Sequence, residues 1–583
     1  MSRFGFILIA ILFAVGAAQA EWTFNPVSEI SSYPLMNASS VAWGDVDNDG
    51  DPDLFVGGRG ESSSRLYRNV DGRLVDATAE FGLTTVNTHD VRKAQFVDFN
   101  GDGLLDIFYL TENTHGLRLL EQLTNHRFRS RRAVSEMEFF DLIRSAAWMD
   151  VDGDGSQELI LSNGETSSSP AIVLSASELE YVENRGEPMG IELGSVGAIC
   201  TEDFDGDGDL DIFLGSTDGS TLPQFLRNEE LGYDDWADRF GMIPKMGTTD
   251  AVWLDYNNDQ QWDLFLPGTS EYMALFRGAQ CYNSHGLVME PAIAENGLTM
   301  FGADAVSAQA VDANMDGWTD LYLTKPDGCV LLMNLEGQRW ADVTASANLV
   351  YLSAFLSSAW ADYDLDGDLD LAVATGEEGF RIYRNCVVNP HEFVNLRLVS
   401  GNGTSPALNC RVWMQFEMAK KIGTTTIGTG SINSDPSHVM LVNSSNYKSD
   451  QVNLIVNWPS GAESRYSLSD LTLNTTNVLR EPVITGEMPE PVTGADRIPM
   501  ECVVSPNPFN PSTMVSFNVP EAGMVDLKVF NLMGQEVASL ARGSYQAGSH
   551  RVTFDGHALP SGLYLARLTV NGESRISRML LAK

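Results

Sequence analysis

The chain has 583 residues, of which 43% are hydrophobic, and it carries a formal net charge of −42 at pH 7. This length exceeds one ordinary hydrophobic core, so we expect several domains, one of which can be large if it is built from repeats. So acidic a chain lacks the basic surface that nucleic-acid binding needs, which disfavours DNA and RNA as partners.

Residues 1–20 have the order of a secretory signal peptide. Arg3 precedes an apolar run from Phe4 to Ala17, and Ala18-Gln19-Ala20 offers a small-residue cleavage site. We therefore expect cleavage after Ala20 and a mature chain that starts at Glu21. No second apolar stretch is long enough to suggest a transmembrane helix in the mature chain.

A nine-residue acidic pattern, Asp-x-Asp/Asn-x-Asp-Gly-x-x-Asp/Glu, occurs seven times, and its copies start 50 to 57 residues apart. A period near fifty is typical of propellers and repeat arrays. Positions one, three, five and nine supply side-chain oxygens, and the position-seven carbonyl can join them. So many hard oxygen ligands suit Ca²⁺, with up to seven sites in the chain.

The predicted ligands, in loops numbered 1 to 7 in chain order, are Asp45, Asp47, Asp49, Asp51 and Asp53; Asp98, Asn100, Asp102, Leu104 and Asp106; Asp150, Asp152, Asp154, Ser156 and Glu158; Asp203, Asp205, Asp207, Asp209 and Asp211; Asp255, Asn257, Asp259, Gln261 and Asp263; Asp312, Asn314, Asp316, Trp318 and Asp320; Asp362, Asp364, Asp366, Asp368 and Asp370.

Position six is expected to need left-handed backbone, which glycine adopts most easily. It is Gly50, Gly103, Gly155, Gly208, Gly317 and Gly367 in six loops, and Gln260 in loop 5. An EF-hand begins in the same way but needs a glutamate at position twelve, where these loops have aliphatic or tyrosine residues. Each loop instead runs into an apolar triplet such as Leu54-Phe55-Val56, so we expect it to join two buried strands.

The residue two places before each loop is aromatic in five copies: Trp43, Phe96, Trp148, Trp253 and Trp360. We expect these rings to pack between adjacent sheets rather than to form a ligand cage. Further strand and turn patterns give four strands per repeat, as in a propeller blade. The last copy stops after its third strand, so the segment from Trp22 to Tyr33 is expected to complete that blade and close the ring.

The pattern Asp-x-Asp-x-Asp-Gly-x-x-Asp-Leu-Phe, followed by Leu-Tyr-Arg-Asn, resembles the FG-GAP/VCBS repeats of integrin-like propellers. The resemblance implies a seven-bladed, calcium-binding β-propeller over residues 21–386, with Ca²⁺ held between the first two strands of each blade. The predicted fold class is all-β, with two β-sandwich domains after the propeller.

Residues 387–481 alternate apolar and polar side chains, as in Phe393-Val394-Asn395-Leu396-Arg397-Leu398, and include the turn Trp458-Pro459-Ser460-Gly461. This region resembles the ASPIC/UnbV domain that follows such propellers. A β-sandwich spacer without an activity of its own is the alternative.

Residues 482–502 contain Pro482, Pro489, Pro491 and Pro499, and are expected to form a stiff linker. The final domain, 503–583, begins with Pro506-Asn507-Pro508-Phe509-Asn510-Pro511-Ser512-Thr513. It resembles the C-terminal sorting domain of bacterial type IX secretion, and also the Ig-like domain of flagellar hook-capping proteins. The first resemblance implies contact with secretion machinery and a secreted or cell-surface location, and a passive Ig-like domain is the alternative.

Six cysteines allow fifteen pairings, and no complete disulfide framework is expected. Cys386 and Cys410 are the one pair close enough in sequence to suggest a bond, with free thiols as the alternative.

An enzyme is the less favoured function. The chain lacks a Gly-x-Ser-x-Gly elbow and a His-Glu-x-x-His zinc motif, and its His89, His115 and His126 are best explained as surface residues. The sequence therefore predicts no catalytic residues and favours a secreted or surface-displayed adhesion or binding module for an extracellular protein or glycan. The alternatives are a polysaccharide hydrolase or lyase on a propeller scaffold, and a structural surface or matrix component.

Overall fold

The computed structural model describes residues 22–27, 37–86, 88–112, 116–131, 143–149, 158–162, 172–175, 196–204, 210–217, 219, 222–229, 232–237, 247–259, 261–267, 273–280, 287–292, 298, 305–349, 356–387, 392–399, 410–416, 421–426, 439–443, 452–458, 462–482, 502–505, 511–519, 523–531, 535–545, 548–557, 559–560, 562–570 and 573–581. The predicted signal peptide and nearly all of the predicted linker lie outside these residues. The chain divides into two compact units, Met1–Val483 and Ile484–Lys583.

Seven successive sheets form the first part of unit one. Strand β1 is Asn25–Pro26, and the first two sheets contain β2 Ala38–Gly44, β3 Asp53–Gly58, β4 Arg65–Asn69 and β5 Leu74–Asp76, then β6 Val91–Val97, β7 Asp106–Thr111, β8 Leu117–Gln122 and β9 Phe128–Ser130. The third and fourth contain β10 Ala146–Met149, β11 Glu158–Leu161 and β12 Ile172–Ser175, then β13 Val196–Glu202, β14 Asp211–Ser216, β15 Gln224–Glu229 and β16 Gly232–Asp235.

The fifth and sixth sheets contain β17 Val252–Leu254, β18 Asp263–Leu266, β19 Ala274–Gln280 and β20 Leu287–Pro291, then β21 Ser307–Val311, β22 Asp320–Lys325, β23 Gly328–Leu335 and β24 Arg339–Asp342. The seventh contains β25 Ser357–Ala361, β26 Asp370–Ala374 and β27 Phe380–Arg384, with β1 at its edge. Strands pair antiparallel within each sheet. The apolar triplets lie in the second strands, and Leu54-Phe55-Val56 is fully buried as predicted.

The five aromatic residues that precede a loop each contact a ring of the preceding sheet or its loop, which confirms the packing prediction. Trp43 of the first sheet stacks on Tyr363 of the seventh at 5.8 Å between ring centroids. Its indole Nε1 also donates to the carbonyl of Ala359 at 3.3 Å. The other contacts are Phe96 with Phe55, Trp148 with Phe108, Trp253 with Phe204, and Trp360 with Tyr322. The rings therefore fill the spaces between sheets, where burial of aromatic area contributes most.

The first and seventh sheets are in direct contact. Strand β1 pairs with β27, with Asn25 opposite Arg384, so the N-terminal segment does complete the last sheet as predicted. Phe24 is fully buried and lies edge-on to Trp360 at 5.7 Å. Trp43 and the residues around it share one hydrophobic core with Ala372 and Ile382 of the seventh sheet.

The remainder of unit one consists of two facing sheets. Their strands are β28 Glu392–Val399, β29 Arg411–Phe416, β30 Lys421–Thr426, β31 Val439–Asn443, β32 Val452–Asn457, β33 Glu463–Ser467 and β34 Thr476–Arg480, in the orders β31-β28-β34 and β30-β29-β32-β33. Val394 and Leu396 of one sheet share a core with Val412 and Leu454 of the other. This arrangement agrees with a β-sandwich, and Cys386 and Cys410 are free thiols rather than a disulfide.

Unit two is also built from two sheets. Its strands are β35 Cys502–Ser505, β36 Ser512–Val519, β37 Gly523–Asn531, β38 Glu536–Tyr545, β39 Gly548–Asp555, β40 Gly562–Val570 and β41 Glu573–Leu581, in the orders β35-β36-β39 and β38-β37-β40-β41. Val515 and Phe517 face Leu527 and Leu568 in its core. Across the described parts of the whole chain, no helix has the length and apolar character to cross a membrane.

Candidate metal centres

Each described acidic loop connects the first and second strands of its sheet. In loop 1 the residue before the loop, Gly44, pairs with the ninth residue, Asp53, so the loop closes a hairpin. The four position-six glycines that the structure describes, Gly50, Gly103, Gly317 and Gly367, have positive φ between 84° and 101°, as the sequence predicted. This conformation is cheap only without a Cβ, which explains glycine there.

Position four also adopts left-handed backbone, which the sequence analysis missed. Asn48, Asn258, Met315 and Leu365 have φ between 55° and 61° at this position. Asparagine tolerates this region better than most side chains, so Asn48 and Asn258 carried a weak signal. Met315 and Leu365 carried none.

The first and fifth residues of the loops hold the turn together through side-chain oxygens. In loop 1, Oδ1 of Asp45 accepts from the N–H of Asp49 at 2.9 Å, and Oδ2 accepts from the N–H of Gly50 at 3.1 Å. Oδ1 of Asp49 accepts from the N–H of Asp51 at 3.0 Å. Loops 2 and 6 repeat all three bonds. The acidic residues therefore shape the loop as well as supplying negative charge.

The aspartate at position nine has a constant set of partners. Oδ2 of Asp53 accepts from the N–H of Val46 at 2.9 Å, and Oδ1 accepts from the N–H of Asn69 on the third strand at 2.7 Å. The same two bonds occur at Asp106, Asp211, Asp263, Asp320 and Asp370. This aspartate joins the loop to the rest of its own sheet, and ligation through a remaining lone pair stays a prediction.

Carboxylate oxygens converge in loops 1 and 7. One oxygen from each of Asp45, Asp47 and Asp49 lies within 4.8 Å of the others, and Asp362, Asp364 and Asp370 form a second such group. The spacing suits a cation bound at about 2.3 to 2.6 Å from each oxygen.

Several oxygens in these two loops are buried without a hydrogen-bond partner. They are Oδ1 of Asp47, Asp362, Asp364 and Asp368. Buried polar atoms are normally paired, so four unpaired carboxylate oxygens in two small loops need a partner such as a cation, a proton or a water molecule. The donor set consists of hard oxygens, so the residues fit calcium.

The electrostatics of the loops agree with this requirement. Burial, reinforced by neighbouring loop carboxylates, raises the pKa of Asp53 to about 9, that of Asp312 to about 8 and that of Asp362 to about 7. Desolvation and like charges both disfavour the ionised form. A divalent cation would counter both effects, because it supplies the neutralising charge that a proton otherwise brings.

The loops with asparagine at position three have one negative charge fewer than the loops with aspartate there. The amide nitrogen of Asn100 donates to Oδ2 of Asp102 at 3.0 Å, and Asn257 and Asn314 make the same contact with Asp259 and Asp316. The amide therefore takes up part of the neighbouring carboxylate's charge.

Two arginines from third strands reach the loops of their own sheets. Arg384 contacts Oδ2 of Asp364 at 2.7 Å and Oδ2 of Asp366 at 2.6 Å. Arg68 lies 3.8 Å from Oδ2 of Asp47. These guanidinium groups offset part of the negative charge of loops 1 and 7. Both loops have aspartate at position three, and therefore carry more negative charge than the loops with asparagine there.

A bridging amide at the end of the third strand was missed by the sequence analysis. The side-chain nitrogen of Asn69 donates to the carbonyl of Tyr363, the second residue of loop 7 in the neighbouring sheet. Gln122, Asn334 and Asn385 donate in the same way to Val46, Tyr256 and Ala313. The available signal was the amide residue that recurs at the third strand's end, which follows an arginine at Asn69 and Asn385.

We expect Asn385→Ala to lower the free energy of unfolding by about 2 to 4 kcal/mol, because two buried carbonyls lose their donor. The Asn385 amide nitrogen bonds the carbonyls of Ala313 at 2.9 Å and Leu369 at 3.1 Å, and the side chain is fully buried. Asn477→Ala is a matched control, since its amide nitrogen also bonds two carbonyls, but in an exposed turn where water can replace it. Thermal and urea unfolding of both variants check this, and equal losses would contradict it.

Several predicted ligands lie outside the described residues. They are Asp150, Asp152, Asp154 and Ser156 of loop 3 and Asp205, Asp207 and Asp209 of loop 4. Gln260, the position-six residue of loop 5, also lies outside them. Glu158, Asp203 and Asp211 are described, and Glu158 and Asp211 begin the second strands of their sheets.

Comparison with protein families matches the FG-GAP-like repeat at residues 45–109 and 98–161. The chain contains FG-GAP-like repeats. The secretion system C-terminal sorting domain matches residues 503–582, which correspond to the predicted final domain. A sorting domain of this kind indicates export to the cell surface or the medium, and it implies interaction with the secretion machinery.

Curated relatives match part of this chain. Cartilage acidic protein 1 from Homo sapiens is 28% identical over 194 residues, which is 31% of this chain and 28% of that protein. The Mus musculus protein is 28% identical over 217 residues, 35% of this chain and 32% of that protein. The match thus spans about a third of the relatives' length, and it agrees with the predicted ASPIC/UnbV resemblance.

Two solved structures show weak similarity. One is an Agrocybe aegerita lectin that recognises non-reducing terminal N-acetylglucosamine, with 12% identity, a TM-score of 0.35 and coverage of 53% of this chain and 79% of that chain. The other is PorZ, a surface component of the type IX secretion system of Porphyromonas gingivalis, with 10% identity, a TM-score of 0.18 and coverage of 96% of this chain and 100% of that chain. At these scores neither similarity supports an inference about this chain.

Proposed function

We propose that the protein is an exported, non-enzymatic binding protein whose seven sheets form a closed, seven-bladed β-propeller stabilised by calcium. The observation that carries the calcium part is the set of buried, unpartnered carboxylate oxygens in loops 1 and 7. Cations bound there would stabilise the hairpin that joins the first two strands of the first and seventh sheets. The sheets would present their connecting segments to a ligand.

The ligand we propose is an extracellular protein or glycan, bound at a groove between the first and seventh sheets. The groove has a volume of about 460 Å³ and is lined by side chains that include Asp71, Arg73, Tyr363 and Arg384. With Asp364, the lining holds two cationic groups, two carboxylates and a phenol, which are suited to hydrogen-bonding a hydroxyl-rich or charged ligand. Arg384 also contacts loop 7, so calcium there would influence the groove.

The test is binding of the full secreted chain to a glycan array and to extracellular proteins, in calcium and in chelator. We expect a calcium-dependent ligand whose binding falls at least tenfold in Arg73→Ala. Arg339→Ala removes the same exposed charge from the sixth sheet and is the matched control. Release of oligosaccharides from a polysaccharide panel would show an enzyme instead, and the absence of any ligand would favour a structural component.

A further inference from the structure

One face of strand β28 packs against three acidic loops. The alternation of apolar and polar residues along this strand predicts that the same face is exposed to solvent. Val394, Leu396 and Leu398 point into the core of their own domain. The intervening side chains, Phe393, Asn395 and Arg397, are nevertheless only 7%, 3% and 16% exposed. Loops 1, 6 and 7 form the surface that covers Phe393 and Arg397.

The contact with loops 6 and 7 is apolar. Phe393 packs against Met315, the fourth residue of loop 6, in a small buried cluster. Its ring also occupies the space where a Cβ on Gly367, the sixth residue of loop 7, would lie. Asn474 fixes the start of the strand, because its N–H donates to the Phe393 carbonyl at 2.9 Å and its Oδ1 accepts from the Phe393 N–H at 3.2 Å.

The contact with loop 1 is ionic. Nη1 of Arg397 lies 3.2 Å from Oδ2 of Asp45, a side chain that is 1% exposed. The same guanidinium group donates to the carbonyl of Asn48 at 3.4 Å and to Oδ1 of Asn48. Arg397 therefore places a fixed positive charge beside the first predicted ligand of loop 1, from a domain that is separate from the seven sheets.

We infer that Arg397 sets the calcium affinity of loop 1, because its guanidinium group competes with the cation for the charge of Asp45. The inference rests on the calcium binding proposed above. Coupling of this kind is reciprocal, so calcium in loop 1 weakens the attachment of β28 to the same extent that Arg397 weakens calcium binding. Repulsion between a divalent ion and a unit charge about 6 Å apart in a water-like dielectric corresponds to about a tenfold loss of affinity.

Calcium titration calorimetry of the full chain tests this inference. We expect Arg397→Gln to tighten calcium binding at one site by about tenfold, and Arg397→Lys, which retains the charge, to change it much less. Arg465→Gln is the matched control, since Arg465 belongs to the same domain but pairs with Glu463. Each variant is repeated with Asp49→Asn, which disables loop 1 and should abolish the effect of Arg397→Gln.

The outcomes separate this inference from the calcium proposal. Calcium binding that is unchanged by Arg397→Gln, or a change that persists with Asp49→Asn, would overturn the role of Arg397. Neither result would contradict the calcium proposal. Equal tightening in Arg397→Lys and Arg397→Gln would assign the effect to packing and overturn the charge argument. Absence of calcium binding by the unmodified chain would overturn the calcium proposal and this inference together.

Discussion

Chelation of calcium should lower the melting temperature of unit one by about 5 °C or more. An occupied site contributes about 2.7 kcal/mol when free calcium is 100 times its dissociation constant, so two sites contribute about 5 kcal/mol. In a unit as long as Met1–Val483 about 1 kcal/mol corresponds to roughly 1 °C, because the unfolding entropy grows with the number of residues. Calorimetry in calcium, in chelator, and in chelator with excess magnesium measures the shift, and an identical melting curve in chelator would contradict calcium binding.

A single substitution should remove one site's share of this stabilisation. Asp362→Asn replaces a buried residue whose Oδ1 has no hydrogen-bond partner, so it should reduce the calcium-dependent shift. Asp327→Asn is the matched control, because its side chain is 82% exposed in a hairpin and lies 3.8 Å from Lys325. An equal effect of both substitutions would indicate that net charge, rather than a bound cation, causes the stabilisation.

The calcium-free protein should also lose stability as pH rises from about 5 to about 9. The raised pKa values of Asp98, about 6, of Asp362, about 7, and of Asp53, about 9, exceed those of the unfolded chain. The folded form therefore binds more protons in this range, and its free energy of unfolding falls with pH. Melting curves in chelator across this range check the sign, and a rise in stability would contradict it.

Deletion of residues 503–583 should block export beyond the periplasm in a host that has the matching type IX secretion system. The expected result is at least a tenfold fall in surface or secreted protein, because the deleted segment matches the sorting domain. Cell fractionation and surface labelling measure the change. The truncated protein should keep its calcium-dependent melting, since unit one is compact without these residues.

A fusion supplies the complementary control. Residues 503–583 joined to a periplasmic reporter protein should carry that reporter to the surface or the medium. Unchanged display of the truncated protein, together with a retained reporter, would show that the last domain is a passive Ig-like module.

Local geometry was predictable from the sequence because its causes are local. Loop 1 bends at Gly50, Trp43 packs between sheets and Leu54-Phe55-Val56 is a buried strand, and each follows from spacing within one repeat. The pairing of β1 with β27 was predictable because an incomplete last repeat needs an edge strand.

Contacts between distant parts of the chain were not predictable in the same way. Asn69 and Tyr363 are 294 positions apart, so their bond depends on which sheets become neighbours. Arg397 lies in an alternating strand, and alternation alone assigns it to solvent. Its contact with Asp45 depends on how β28 packs against the acidic loops, which a single sequence does not encode in any local pattern.

The pairing of β1 with β27 also has a consequence for biogenesis. The residues beside β1 lie near the start of the chain, whereas β27 ends at Arg384, so this edge of the seventh sheet is completed only when both segments are on the same side of a membrane. A chain translocated from its N-terminus delivers β1 first and β27 hundreds of residues later. Strand β1 therefore has no partner in the seventh sheet until β27 emerges, and its unpaired edge is open to other chains until then.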